Sequence, residues 1–225
     1  EVGSGAGRFS EVFLKTTTGT LHSIDYSNAV EANLKNNIEF IDRLKLSQAS
    51  IYEIPFPDNT FDKVFCLGVL QHTPSFYKSI ESLVKKVKIG GEIVVDFYPI
   101  KGWYSKIHAK YIIRPITKKL SNQFLLKIIR QNIVWMIKLF DFLCRINLKI
   151  LTRFIPIVDI SLFPKELNPS QRKDWAIMDT FDMFSPEFDN PMKIKTVKKL
   201  FIEMGCKISF AGFVNYDNKT SSAVV

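Results

Sequence analysis

Glu1-Val2-Gly3-Ser4-Gly5-Ala6-Gly7 is the stretch of sequence that decides the fold, because glycine occupies every second position after an apolar residue. Glycine has no Cβ, so the backbone can turn sharply there and approach a ligand closely. Residues 8–17 follow with apolar side chains at helical spacing, and the first amide groups of such a helix favour an anionic group. The stretch therefore predicts a turn that binds a nucleotide-like ligand at the start of a helix.

Strands and helices alternate through the first hundred residues. We predict helices over residues 8–17, 27–40 and 75–88, and strands over residues 21–25, 44–50, 61–67 and 92–98. Ser27 is the predicted N-cap of the second helix, and Gly90-Gly91 is a predicted turn. A helix over residues 194–204, ended by Gly205, and a strand over residues 207–214 resume the pattern. The alternation predicts a parallel sheet with helices on both faces.

A helical segment interrupts this alternation after Pro99. Residues 104–164 are helical in character, with expected breaks at Pro115 and Pro156. We therefore divide the chain into a cofactor-binding half (residues 1–98), a basic insert or lid (99–178) and a C-terminal part of the same domain (179–225). Because the chain opens inside a motif and ends in an apolar run, we interpret it as a fragment at both ends.

The spacing of the glycines discriminates between nucleotides. The dinucleotide fingerprint places its third glycine at a position that Arg8 occupies here, whereas this chain has Gly7. Asp25 ends the next strand, where a carboxylate can accept both hydroxyls of a ribose.

Three blocks in register resemble class I methyltransferases. They are the glycine stretch, residues 54–74 with the core Phe61-Asp-Lys-Val-Phe-Cys-Leu-Gly68, and Lys88-Ile-Gly-Gly-Glu-Ile-Val-Val95. The chain is thereby identified as a member of the Rossmann-like, S-adenosylmethionine-dependent family, in its type 11-like bacterial subgroup. The resemblance implies a doubly wound, mostly parallel, seven-stranded sheet, truncated at both ends here, with a helical lid insert. It also implies S-adenosylmethionine as the cofactor. The cofactor-binding residues that it implies are Glu1, Gly3, Gly5, Gly7, Asp25, Tyr26, Ser50, Ile51, Leu67 and Gly68.

One position departs from the family pattern. The family usually has an aspartate four residues before Ile54, where it binds the adenine amino group, and this chain has Ser50. Either backbone and apolar contacts from Ile51 and Tyr52 hold the adenine, or binding is weaker. Ser50 could also simply end a strand.

The catalytic candidate is His72, the one titratable base expected just after the fourth strand. The alternative is a histidine that caps a helix or bonds a nearby carbonyl. Asp179 and Asp182 could line the acceptor side, or be solvated. We expect no metal ion. The absence of an Asn-Pro-Pro-Tyr-like motif argues against methylation of nucleic acid bases.

The net charge of +9 is concentrated in the insert. Between residues 105 and 155 only Asp141 opposes eleven basic residues, which are Lys106, Lys110, Arg114, Lys118, Lys119, Lys127, Arg130, Lys138, Arg145, Lys149 and Arg153. As one continuous helix, the basic residues from Lys127 to Arg153 share a face. The insert is either a lid packed on the core with a solvated basic face, or a cover for a lipid-like or acidic substrate that touches anionic membrane.

We therefore expect a methyltransferase for a small-molecule or lipid-like acceptor. A non-catalytic module that binds S-adenosylmethionine and an RNA methyltransferase are the alternatives. Three widely spaced cysteines without a disulfide framework indicate the cytoplasm.

Overall fold

The computed structural model describes residues 1–100, 102, 107–216 and 219–224. They form two compact units. Unit 1 comprises Glu1–Ile100, Phe188–Tyr216 and Thr220–Val225, and unit 2 comprises Lys101–Glu187 and Asp217–Lys219. The predicted boundary at residue 178 falls inside a helix of unit 2. Lys106, one of the eleven basic residues of the insert, lies outside the described residues.

The helices and strands follow one another along the chain. Their order is α1 (Arg8–Thr16), β1 (Leu21–Asp25), α2 (Ala29–Asn36), a 3-10 helix (Ile38–Phe40), β2 (Leu44–Gln48), β3 (Phe61–Cys66), a 3-10 helix (Leu70–His72), α3 (Phe76–Lys86), β4 (Val87–Phe97), α4 (Ala109–Thr117), α5 (Asn122–Arg145), 3-10 helices (Lys149–Phe154 and Ile160–Leu162), α6 (Pro169–Phe184), α7 (Ile194–Glu203), β5 (Ala211–Tyr216) and β6 (Lys219–Val224).

The sheet of unit 1 is mostly parallel. β1 pairs in parallel with β2, β3 pairs in parallel with β4, and β6 runs antiparallel between β4 and β5. Val2 joins the two groups of strands, because it pairs in parallel with Ile24 and its amide donates to the Phe65 carbonyl at 2.9 Å. The glycine stretch therefore leaves the sheet between β1 and β3. The predicted α/β class with a mostly parallel sheet is confirmed.

Apolar side chains on both sides of β3 and β4 hold this arrangement in place. Cys66 and Val95 are fully buried in the two strands, and Ile80 and Leu83 of α3 are fully buried in the same core. Burial of such side chains contributes about 1.5–3 kcal/mol each. The strand ends that carry the predicted site residues are thus fixed by the core.

The predicted turn at Gly90-Gly91 is wrong, because β4 runs through both glycines. The register shifts there, so that Phe61 pairs with Val87 whereas Lys63 pairs with Glu92. A Cβ on Gly91 would lie 2.6 Å from the Asp62 carbonyl oxygen. The glycines therefore permit a bulge in which the two strand backbones approach closely. In sequence, such a bulge looks like a turn, because both favour glycine.

Several element limits also differ from the prediction. The N-cap of α2 is Asn28, not Ser27, and the helix ends at Asn36 before a separate 3-10 helix. Pro115 does not break a helix, because α4 continues through it. The strand expected from residue 207 begins at Ala211.

Unit 2 is a helical body with its own core. Leu125, Ile129, Ile133, Met136 and Phe140 of α5 are buried at helical spacing in a cluster that also contains α6 residues.

Polar contacts join the helices of unit 2. Arg114 is buried and its guanidinium donates to the carbonyl oxygens of Met183 and Pro186. Arg172 of α6 makes two hydrogen bonds of 2.7 Å to the Asp141 carboxylate. No helix of the described residues is long and apolar enough to cross a membrane.

The predicted basic face along one continuous helix is wrong in its second half. α5 ends at Arg145, and Asn147 adopts a positive φ of 59°. Lys149 and Arg153 therefore belong to a separate 3-10 helix. The angular positions calculated for one continuous helix do not apply to them.

Candidate cofactor site

The glycine stretch forms a loop whose conformation requires glycine. Gly3, Gly5 and Gly7 have φ values of 80°, 50° and 89°, where a Cβ is sterically disfavoured. A Cβ on Gly3 would lie 2.1 Å from Cγ2 of Val69. Around the ideal Cβ of Gly5 nothing lies within 4 Å. The loop therefore packs closely against Val69 at Gly3, whereas the space around Gly5 is open. A ligand could lie against the backbone on that open side.

A buried polar network backs the loop. The Glu1 carboxylate oxygen Oε2 accepts from the hydroxyls of Ser10 and Ser23, the latter at 2.7 Å. Asn33 Nδ2 donates to Ser10 Oγ at 2.8 Å. Oε1 of Glu1 is buried without a hydrogen-bond partner among the described residues. The structure thus places Glu1 behind the loop, while its contact with a cofactor stays a prediction.

The end of α2 holds the loop carbonyls. Asn37 Nδ2 donates to the Gly7 carbonyl at 3.2 Å and to Asn33 Oδ1 at 2.9 Å. Asn36 Nδ2 donates to the Ala6 carbonyl at 2.9 Å. These asparagines were not predicted from the sequence, because the carbonyl groups that Asn36 and Asn37 bind lie thirty residues away along the chain.

Asp25 contacts the glycine loop, while its predicted contact with a ribose stays a prediction. Its Oδ2 accepts from the Gly5 amide at 2.7 Å, and its Oδ1 accepts from the amide and hydroxyl of Ser27 at 2.8 and 2.7 Å. A carboxylate oxygen has two lone pairs, so these bonds leave acceptor capacity for a ligand. Tyr26 is 81% exposed beside it.

The residues after β2 use their polar groups internally. Ser50 Oγ accepts from the Tyr52 amide at 3.2 Å, and Ile51 is buried in the core of unit 1. The Tyr52 hydroxyl accepts from the Ser75 amide at 2.8 Å. These internal hydrogen bonds do not test the prediction that the residues after β2 contact adenine. A groove of about 510 Å³ between this loop and α3 is lined in part by Tyr52, whereas Ser50 and Ile51 do not line it.

A second positive-φ glycine follows β3. Gly68 has a φ of 75°, its ideal Cβ would meet open space, and its amide donates to the Asp96 carboxylate. Leu67 precedes it at the end of the strand. Asp96, near the end of β4, is a further candidate site residue that was not predicted from the sequence. Its signal was a carboxylate at the carboxyl end of a predicted parallel strand, where ligands bind in such sheets.

His72 lies in the 3-10 helix that follows. Its Nδ1 is 3.2 Å from the Phe188 carbonyl oxygen, and its ring meets the Tyr98 ring edge-on at 5.5 Å between centroids. Because a carbonyl only accepts, Nδ1 carries the proton, and the lone pair of a neutral ring is then on Nε2. This contact matches the predicted alternative of a histidine bonded to a carbonyl. A catalytic role for His72 stays a prediction.

Gln71 is fully buried next to it. Neither its Nε2 nor its Oε1 has a hydrogen-bond partner among the described residues, although its backbone carbonyl accepts from the Asn190 amide at 2.7 Å. An unsatisfied buried amide is rare in proteins, because it costs about 1–3 kcal/mol. Gln71 is therefore a candidate ligand-binding side chain, and its position just after the strand that ends at Cys66 is where the family resemblance predicts residues near the sulfonium.

The candidate residues of the acceptor side lie in unit 2, and their contribution to the site stays a prediction. Asp179 and Asp182 are exposed on α6, in unit 2. In the described part of the chain, no group of three or more His, Cys, Asp or Glu side chains could hold a metal ion.

Comparison with known proteins agrees with this geometry. Residues 1–95 match the family described as "Methyltransferase domain". The chain is similar to the demethylmenaquinone methyltransferase of Bacillus licheniformis, with 30% identity over 77 residues that cover 34% of this chain and 33% of the relative. It is also similar to the tRNA U34 carboxymethyltransferase of Nautilia profundicola, with 38% identity over 69 residues that cover 31% of this chain and 21% of the relative. The chain thus spans a third or less of the length of these two relatives.

A solved structure extends the likeness of the fold to almost the whole chain. It is magnesium protoporphyrin IX methyltransferase from Synechocystis with bound SAH, which gives a TM-score of 0.53 at 14% identity and covers 99% of this chain and 70% of that one. The fold is that of class I S-adenosylmethionine-dependent methyltransferases. Residues 1–95, which contain the glycine loop and Asp25, are the part of the chain that matches the methyltransferase domain in sequence. The predicted resemblance to S-adenosylmethionine-dependent methyltransferases is confirmed for residues 1–95 and for the fold.

Proposed function

We propose that this chain transfers a methyl group from S-adenosylmethionine to a small-molecule or lipid-like acceptor. The observation that carries the proposal is the glycine loop with Gly5 bonded to Asp25 at 2.7 Å. That contact brings the two predicted cofactor-binding elements together at the carboxyl ends of parallel strands, where ligands bind in α/β sheets.

The residues present fit the cofactor. The open space at Gly5 and Gly68 gives two places where backbone can lie against a ligand. The loop amides and the start of α1 would hold the carboxylate of the methionine part, and Asp25 would accept the ribose hydroxyls. Ser50 and Ile51 would border the adenine, and Leu67 would lie near the sulfonium. When bound, the cofactor supplies an activated methyl group.

The protein's own contribution is mainly alignment. Methyl transfer from a sulfonium needs the acceptor atom in line with the methyl group, which positioning can accelerate strongly. Where the acceptor must lose a proton, His72 Nε2 would take it, since its Nδ1 is oriented by the Phe188 carbonyl. The buried amide of Gln71 would donate to or accept from the acceptor or the cofactor.

We propose a small-molecule acceptor because the sequence has no motif typical of enzymes that methylate nucleic acid bases. The relatives include enzymes named for a small molecule and enzymes named for tRNA. One relative bears the name of a quinone methyltransferase and another that of a tRNA carboxymethyltransferase. An RNA acceptor is the second candidate, favoured by the charge of unit 2. The third is a non-catalytic module that binds the cofactor, for which Ser50 is the support. The unpaired Cys66, Cys144 and Cys206 support a cytoplasmic location.

Two measurements on the purified chain test the proposal. S-adenosylhomocysteine should raise the melting temperature and bind in a calorimeter, whereas NAD should do neither. Incubation with S-adenosylmethionine and a cell extract that contains both small molecules and RNA should then yield S-adenosylhomocysteine, and ribonuclease treatment of the extract should leave that yield unchanged. Binding of NAD without S-adenosylhomocysteine would refute the cofactor assignment. A yield that disappears with ribonuclease would assign RNA, and binding without turnover would assign the non-catalytic module.

Gln71→Met distinguishes a functional amide from a structural one. Methionine has a similar size without the two unsatisfied polar atoms, so the free energy of unfolding should rise by about 1 kcal/mol or more. Turnover should fall by at least tenfold if the amide contacts a reactant, since about 1.4 kcal/mol corresponds to tenfold. Unchanged turnover would remove Gln71 from the site.

A further inference from the structure

Helix α5 has an outward face that combines aromatic and basic side chains. Phe124, Trp135 and Phe142 are 51%, 47% and 53% exposed, and successive members lie eleven and seven residues apart along the helix. Lys127, Lys138 and Arg145 are exposed between them on the same side. We call these six residues the aromatic–basic face. It lies opposite the buried stripe of the same helix, so packing within unit 2 does not account for its apolar side chains.

The 3-10 helix after α5 adds further exposed apolar side chains. Ile150 and Phe154 are 65% and 52% exposed, and Leu148 and Leu151 are each 43% exposed. Scattered apolar residues are normal at a protein surface, but a run of this density marks an interaction site.

The charge of the face is uncompensated. Lys127, Lys138 and Arg145 form no ion pair in the described part of the chain. Asp141 is the one acidic residue between residues 121 and 154, and its carboxylate is already bound by Arg172. A partner that covers this face must therefore bring negative charge together with apolar contact.

An anionic lipid surface has both properties. Helices that lie in the membrane interface carry Trp, Phe and Leu on one side with Lys and Arg, whose long stems reach the headgroups while the aliphatic parts stay in the apolar layer. An RNA would match the charge, but it offers no apolar layer for Ile150 and Leu151. A second copy of the same positive face would be repelled.

We propose that the aromatic–basic face lies flat on an anionic membrane surface. The helix is about 36 Å long at 1.5 Å per residue, so its whole length would lie in the interface. This inference stands on unit 2 alone and does not depend on the proposed methyl transfer.

Co-sedimentation of the whole chain with vesicles tests it. We expect binding to vesicles of phosphatidylcholine mixed with phosphatidylserine and much weaker binding to phosphatidylcholine alone. Lys127→Gln/Lys138→Gln/Arg145→Gln should weaken the binding on the order of a hundredfold, because each basic residue at an anionic surface contributes about fivefold. Trp135→Ser/Phe142→Ser keeps the charge and should weaken it by at least tenfold, because it removes apolar contact.

A matched control removes the same charge elsewhere. Lys35→Gln/Lys195→Gln/Lys198→Gln changes three exposed lysines of unit 1 and should change the partition by less than a factor of three. Circular dichroism and the thermal midpoint show that each variant is folded. The proposal is overturned if the parent chain does not sediment with anionic vesicles, or if the control loses as much binding as the charge variant. It is also overturned if the aromatic variant binds like the parent, since charge alone would then explain the binding.

Discussion

Removal of the Asp25 side chain would test the geometry of the cofactor site most directly. Its carboxylate accepts three hydrogen bonds, from the Gly5 amide at 2.7 Å and from the amide and hydroxyl of Ser27 at 2.8 and 2.7 Å. A hydrogen bond to a charged group contributes about 1.5–3 kcal/mol. Asp25→Ala removes both the bond that holds Gly5 and the proposed bonds to the ribose. We expect affinity for S-adenosylhomocysteine to fall by about 3 kcal/mol, or roughly a hundredfold.

Asp25→Asn separates the two contributions. The asparagine oxygen can still accept from the Gly5 amide, so the loop should keep that bond, while the Ser27 amide loses its acceptor and the charge toward the ribose is lost. We expect about a tenfold loss of affinity for this variant. Asp42→Asn, an exposed aspartate of unit 1, is the control and should bind like the parent.

Isothermal titration calorimetry with S-adenosylhomocysteine is the assay, with the thermal midpoint measured on each protein. If folded Asp25→Ala binds within a factor of two of the parent, Asp25 does not contribute to the site and the geometric reasoning fails.

Three further predictions concern stability. Gly3→Ala should destabilise unit 1 by about 2–4 kcal/mol in urea unfolding, because its Cβ would lie 2.1 Å from Val69 Cγ2 at a positive φ. Gly5→Ala is the control, and it should cost only about 1 kcal/mol because its Cβ would lie in open space. Equal losses of stability in the two variants would contradict this prediction. Arg114→Met should destabilise unit 2 by about 2–4 kcal/mol, because two backbone carbonyls lose a buried charged donor, and a loss below about 1 kcal/mol would show that they find other partners. Burial lowers the pKa of His108 below its usual 6.5, so the unfolded chain takes up a proton first as the pH falls. The free energy of unfolding should therefore decrease between pH 6.5 and the lower folded pKa, and His108→Asn, which can still cap α4, should remove part of that decrease in urea titrations at several pH values. An identical pH dependence in both proteins would exclude this contribution.

The cofactor side of the fold was predictable because its signals are local. Glycine at residues 3, 5 and 7 indicates a backbone with positive φ, which the structure has at all three. β1 was predicted with the limits that it has in the structure. Asp25 followed from its place at the end of that strand. Such features depend on the backbone and on neighbours in sequence, which a single chain records.

What the sequence analysis missed depends on contacts between distant residues. Nothing local to Asn37 reveals that its side chain reaches the Gly7 carbonyl thirty residues away. Gly90-Gly91 has the composition of a turn, and only its pairing with β3 shows that it is a bulge. The helical periodicity of the insert runs on past Ile146, but the positive φ of Asn147 redirects the chain. A periodicity does not show where a helix ends.

The place where the chain leaves unit 1 and returns to it has a consequence for how the protein can be altered. Pro99 pairs with Met192, the Ile100 amide donates to the Met192 carbonyl at 2.9 Å, and the Met192 amide donates to the Tyr98 carbonyl at 3.0 Å. The exit and the re-entry are thus fastened side by side, so an excursion of about 90 residues begins and ends at nearly one point of the scaffold. Replacing that excursion by a short connector would change the entropy of closing the loop by only about 2 kcal/mol, in the direction of greater stability. The insertion can therefore be exchanged as one unit in natural or engineered variants, while the cofactor-binding part of the chain stays unchanged.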